Sequence, residues 1–373
     1  MRKQDKSPSF FSGFSKNEFK RFLTYFVKRL FAVLISVTIT CYLTILIAEM
    51  GGFVDTVVIS QLKDEIRNMV RTSPEYASLS PQQQEEIIAI KLNLTIKERG
   101  LDTPFYVRSL IYLKNALTLD LGRANILVSD SGSRRVQAII FERLPYTILL
   151  FTTATVLGFF INILFGLYLA RHRGSLMDRI MVGLTFLSSI PGWFYGIIFI
   201  MIFAMYLGVL PYGGLVSIPP PSDPLLYALD ILKHALLPIL SWLFSGLWLG
   251  VYANRNFFLI FSTHGYVTVA DAKGLPERRI LSKYIIKPAL PTIVTNLSLG
   301  IIGSWMGAMV TESVFNWPGI GSLTYKAINL KDTPIIVGTT VIYAYLLGLT
   351  MLILDIVYSI IDPRIRTGLS GGY

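Results

Sequence analysis

The chain has 373 residues, 53% of them hydrophobic and only 15% charged, with a mean hydropathy of +0.56. The apolar residues fall in long runs rather than amphipathic stripes, which excludes a soluble globular protein. The formal net charge is +11, but the basic residues gather at the ends of the apolar runs, which excludes a soluble RNA-binding domain and matches the positive-inside pattern. A single cysteine, Cys41, sits within an apolar run and can form neither an intrachain disulfide nor half of a cysteine metal site.

Residues 1–22 are polar and basic, and Lys16, Lys20, Arg21, Lys28 and Arg29 place this N-terminal segment in the cytoplasm. The first apolar run is too long for a cleaved signal peptide and follows about twenty polar residues. It predicts a first transmembrane helix within 23–52, ending near Glu49 and the Gly51-Gly52 pair. Residues 53–142 form a long polar segment, read as an extracytoplasmic subdomain with helices over Ser60–Arg71 and Pro81–Arg99. In the second of these, Ile87, Ile90 and Leu94 recur at helical spacing and predict a packed face.

The remaining apolar runs predict a transmembrane core of five helices within 143–361, spanning about 145–170, 180–207, 231–252, 292–314 and 335–361. Ser189-Ile190-Pro191 marks a kink in the second of these. Arg171, His172, Arg173 and Arg179 form a basic turn on the cytoplasmic side, whereas 208–229 has no Lys or Arg and faces outward. With the tail 362–373 inside, the chain reads as an all-α integral membrane protein with about six transmembrane helices, both termini cytoplasmic and residence in the cell membrane.

The densest polar stretch joins the fourth and fifth spans, over 262–291. Tyr266–Lys273 predicts a short helix, Gly274 a break, and Pro276 the first turn of a second helix carrying Glu277, Arg278, Arg279, Lys283 and Lys287. Pro288 and Pro291 then mark the start of the next span. This helix-break-helix is basic, partly apolar and shaped to dock. On charge alone it reads equally well as a topology anchor.

Catalytic chemistry is absent from the pattern. No Gly-Lys dipeptide occurs, so a phosphate-cradling loop ending in G-K-[ST] is impossible, and no H-E-x-x-H occurs. The three histidines, His172, His234 and His264, fall at span edges or in the polar loop and read as interfacial residues. Two acidic residues lie in or near spans, Glu312 and Asp355. Each reads either as paired at a membrane edge or as touching the transported solute, with pairing preferred.

The polar loop resembles the cytoplasmic loop of ABC-transporter membrane subunits, in particular the dipeptide/oligopeptide permease B-type family. That family's Y-x-x-x-A-x-A-K-G-L-x-E-R-R is present as Tyr266, Ala270, Ala272, Lys273, Gly274, Leu275, Glu277, Arg278 and Arg279, with Asp271 inside it. The wider superfamily's E-A-A opening is replaced by Thr268, Val269 and Ala270. Further matches are Gly100-Leu101-Asp102-Thr103-Pro104, Leu119-Asp120-Leu121-Gly122, Glu312–Gly321 (ESVFNWPGIG) and the ending Asp362–Arg366.

The resemblance implies the type I ABC importer permease fold and no ATPase site in this chain. It implies a homologous second permease subunit, two ABC ATPase subunits, an extracytoplasmic substrate-binding protein and surrounding membrane lipid as partners, with no nucleic acid. No cofactor or metal would be bound here; ATP and Mg would be used by the ATPase subunits. The loop residues named, with Asp271, would couple to the ATPase, Ala270 and Ala272 sitting deep in its groove. Glu312, Asn316 and Trp317 would shape the outer mouth of the translocation path. The solute is left open among di- and oligopeptides, oligosaccharides, nickel and other small solutes. A secondary transporter is the competing class, but neither midplane coupling residues nor an internal repeat is evident.

Overall fold

The computed structural model describes residues 16–49, 53–98 and 102–361. The Gly51-Gly52 pair, Gly100-Leu101 and the Asp362–Arg366 motif lie outside the described residues. Regular structure among the described residues is helical, apart from one antiparallel bridge between Arg123 and Arg135. The helices are α1 Lys16–Glu49, α2 Phe53–Thr72, α3 Pro81–Glu98, α4 Phe105–Leu117, α5 Val136–Arg171, α6 Leu176–Ser189, α7 Gly192–Tyr206, α8 Pro224–Ser262, α9 Gly265–Ala272, α10 Glu277–Ser304, α11 Met309–Val314, α12 Ile320–Leu330 and α13 Thr333–Ile361.

Five of them, α1, α5, α8, α10 and α13, are long and apolar enough to cross a membrane. The α6–α7 pair passes the same test jointly but bends by 94° at its break, giving six spans if the pair counts as one. The kink expected within a single span at 180–207 is therefore a full break. Pro191 causes it: Ile190 and Pro191 are both extended, and the residue before proline is driven out of the helical region. Pro145 and Pro238 lie inside α5 and α8 without ending them. Proline's φ is already helical, and neighbouring helices can satisfy the backbone group it frees.

The span expected at 292–314 is corrected at both ends. Its helix begins at Glu277, runs through Pro288 and Pro291, and stops at Ser304. Glu312 accordingly belongs to the separate short helix α11. The loop expected over 262–291 shortens to the residues between Ser262 and Glu277, and α10 takes up the rest.

The chain folds as two compact units. One comprises Ser36–Glu142 and Leu323–Tyr345. Here α2 and α3 pair through Ile66, Val70 and Ile88, with Arg67 3.4 Å from Glu85. Ser80 and Gln83 cap α3 reciprocally: the Ser80 N–H donates to Gln83 Oε1 at 3.0 Å, and the Gln83 N–H to Ser80 Oγ at 3.4 Å. Of the packed face expected of Ile87, Ile90 and Leu94, Ile87 does pack against the Ile66, Val70 and Ile88 cluster, and the other two positions are corrected. Ile90 and Leu94 are exposed, and the stripe centred on Ile88 turns inward against α2. In the same unit, buried Asp332 accepts backbone N–H groups from Asn125 and Ile126 at 2.9 Å and from Leu127 at 2.8 Å.

The other unit holds the described chain up to Ile35, Arg143–Ser322 and the chain from Leu346. Its spine is the α5–α8 pair, where small residues permit close approach. A Cβ on Gly166 would lie 2.5 Å from Asn254 Cβ, and one on Gly250 would strike the Asn162 amide. One core cluster gathers Leu150, Phe151, Leu237, Phe315 and Trp317, and a second gathers Leu167, Phe258, Val267, Ala270, Ile280 and Ile285. Asp355 pairs with Arg29, whose Nε donates at 2.6 Å, while the Tyr25 hydroxyl donates at 3.3 Å.

Candidate functional site

The basic loop is a helix closed by a glycine. α9 ends in the paired hydrogen bonds that terminate a helix on a left-handed residue: Gly274 N–H to Asp271 O at 2.9 Å, and Leu275 N–H to Ala270 O at 3.3 Å. Gly274 takes φ +67°, which glycine reaches without strain. Leu275 then packs on the cluster containing Ala270, which fixes the exit direction. Pro276 precedes the next helix as its cap rather than its first-turn residue, and the Arg279 N–H donates to its carbonyl at 2.8 Å.

Val267, Ala270, Ile280 and Ile285 seat this hairpin on Leu167 of α5 and Phe258 of α8. Ala270 is thus committed to the chain's own core, whereas Ala272 is exposed. The expectation that both alanines enter a partner's groove is corrected for Ala270. Residues two apart on a helix point to different faces, so one burial excludes the other. Tyr266 is exposed and stacks on His264, with ring centroids 5.3 Å apart, and on Tyr284 at 6.4 Å.

Charge on the hairpin divides by direction. Arg171, the last residue of α5, reaches both arms. Its Nε and Nη2 donate to the Glu277 carboxylate at 2.8 and 3.0 Å, and Nη2 and Nη1 to that of Asp271 at 3.0 and 3.4 Å. Lys273, Arg278 and Arg279 are exposed and form no ion pair among the described residues. Nearby, Arg255 of α8 pairs with buried Asp178, which also accepts the Gly174 N–H at 2.8 Å. Sequence reasoning treated Arg171 as an orientation charge, since its partners lie 100 and 106 positions away.

The second candidate, ESVFNWPGIG, is a buried strut. Glu312 is fully buried: Oε1 accepts the Thr147 hydroxyl at 2.8 Å, and Oε2 the Ser322 N–H at 2.7 Å. Thr147 in turn accepts the Ile320 N–H at 2.7 Å. Gly307, Gly319 and Gly321 wall the carboxylate, and a Cβ at any of them would crowd it. Burial pushes the Glu312 carboxyl up to about 7, opposed by the Ser322, Thr147 and Gly321 donors. Trp317 is also fully buried, its indole N–H donating to Tyr146 O at 3.0 Å. Of the three residues expected at the outer mouth, only Asn316 is exposed, at φ +49°. Glu312 and Trp317 hold the turn together from within. Beside this turn lies a pocket of about 520 Å³ whose walls include Gly192, Trp193, Trp242, Met309 and Thr311.

These features define a polytopic membrane protein with an exposed basic helix-turn-helix between two spans. Residues 162–367 match the family described as "Binding-protein-dependent transport system inner membrane component", and the chain belongs to that family. It is an inner-membrane permease component of a binding-protein-dependent ABC import system.

Similar curated proteins include the "Oligopeptide transport system permease protein AppB" of Bacillus subtilis (strain 168), 33% identical over 275 residues that cover 73% of this chain and 84% of that protein. The "Dipeptide transport system permease protein DppB" of Escherichia coli (strain K12) is 28% identical over 309 residues, covering 77% and 86%. The DppB of Lactococcus lactis subsp. cremoris (strain MG1363) is 27% identical over 268 residues, covering 72% and 82%. A solved structure of the MetNI methionine ABC transporter overlays at 17% identity and a TM-score of 0.48, covering 62% of this chain and 99% of that one.

Proposed function

We propose that this chain forms, with a homologous permease, the translocation path for di- or oligopeptides, and that the 263–279 hairpin docks on an ABC ATPase subunit. Two ATPase subunits would hydrolyse ATP with Mg, and an extracytoplasmic binding protein would deliver the solute. The chain itself would bind no cofactor or metal and carry no ATPase site, since it has no Gly-Lys dipeptide from which to build a phosphate loop. Both termini and the hairpin are assigned to the cytoplasm on the basic residues flanking the spans. The type I importer arrangement is carried over from the family resemblance.

One observation carries the docking reading. A glycine-closed hairpin is fastened to the ends of two spans on one side and leaves Lys273, Arg278 and Arg279 exposed on the other. Coupling requires an element that moves with the spans as one body, and arginine offers bidentate contacts to a partner's carboxylates. The peptide assignment is supported by the names of the relatives above.

The test is co-purification of the chain with the ATPases and binding proteins encoded beside it, followed by ATP hydrolysis in proteoliposomes. Stimulation by a peptide-loaded binding protein is expected. Stimulation by an oligosaccharide- or nickel-loaded protein instead would overturn the peptide assignment. Absence of any bound ATPase would overturn the docking reading.

A further inference from the structure

The Arg171 contacts identify a positioning residue for energy coupling. We infer that Arg171 is a latch that makes α5, α9 and the first turn of α10 one rigid body, so that force on the hairpin reaches the spans. The inference rests on the docking reading above.

Three observations carry it. First, one guanidinium engages two carboxylates on opposite sides of the Gly274 break, Asp271 before it and Glu277 after it. The turn is therefore held closed from outside as well as by its own backbone bonds. Second, the latch side chain is mostly buried while both carboxylates are about half exposed. Arg171 is anchored at the end of α5, beside Ala170 in the apolar cluster that seats the hairpin. Third, the guanidinium offsets one of the two acidic charges on the hairpin, and with Lys273, Arg278 and Arg279 exposed the hairpin stays net positive outward. Lysine could not serve in place of Arg171. Its ammonium is a point donor, whereas the planar guanidinium spans two carboxylates at once.

The experiment uses the purified chain and the full transporter. A nitroxide attached at Lys273→Cys reports hairpin motion in the chain alone. Uptake per ATP hydrolysed in proteoliposomes reports coupling. Arg171→Ala and Arg171→Glu are expected to sharpen the nitroxide spectrum and to lower uptake per ATP by roughly tenfold, the scale of losing a bidentate network. The exchange Arg171→Glu with Glu277→Arg again places one arginine between two acids. It is expected to restore both readouts to within about threefold of the parent, as a positional role requires and a general packing defect would not allow.

Unchanged spectra in Arg171→Ala, or an exchange variant no better than its single parents, would overturn the latch. A parent chain that binds no ATPase, despite an immobile hairpin that loosens in Arg171→Ala, would place the failure in the docking reading.

Discussion

Replacing Gly274 separates backbone strain from every other effect at the hairpin. Gly274 sits at φ +67°, and a Cβ built there meets nothing within 4 Å. Gly274→Ala therefore adds no clash, and its cost is that of holding alanine in the left-handed region, about 1–2 kcal/mol. A penalty of that size shifts the seated population of the hairpin by about 5- to 30-fold. Asparagine tolerates the left-handed region, so Gly274→Asn should lose much less. Gly274→Glu carries the strain of alanine and adds a third carboxylate beside Asp271 and Glu277. The expected order of uptake per ATP is parent, then Asn, then Ala, then Glu, with insertion and expression unchanged throughout. Uptake by the Ala variant equal to the parent, or by the Asn variant as low as the Ala variant, would refute the strain argument.

Glu312 gives a pH prediction. Its folded value of about 7 lies above the ordinary 4.5, so the native state holds the proton more tightly than the unfolded chain. That contribution is fully present below 4.5 and is lost as pH rises through 7, a change of about 3 kcal/mol from the shift. Glu312→Gln, whose amide can donate to Thr147 and accept from Ser322, should flatten the fall in melting temperature between pH 5 and 8. Parallel melting curves for parent and variant would show that the carboxyl does not titrate there. Asp332→Ala removes a buried acceptor of three backbone N–H groups from a partly exposed turn and should destabilise by about 1–3 kcal/mol, with Asp332→Asn intermediate. Equal thermal stability of the Ala and Asn variants would remove the hydrogen bonds as the cause.

The sequence by itself determined what depends on neighbouring residues alone. The apolar runs near α1, α5, α8, α10 and α13, the position of the distortion at Pro191 (though not that it is a full break) and the turn at Gly274 all follow from hydropathy or from one residue's backbone freedom. The family match at 266–279 and 312–321 was legible for the same reason, as contiguous chemistry. Tertiary structure alone decided which face of each segment turned inward. Ile87, Ile90 and Leu94 satisfy helical spacing, yet Ile88 is the buried residue, because α2 presents Ile66 and Val70 there. Ala270 and Ala272 read alike in sequence, and only packing on Phe258 commits the first and frees the second. Arg171, Glu312 and Asp332 take partners 100 or more positions away, beyond any local pattern. A buried charge needs a specific partner to offset its desolvation, and that partner is brought to it only by the folded chain.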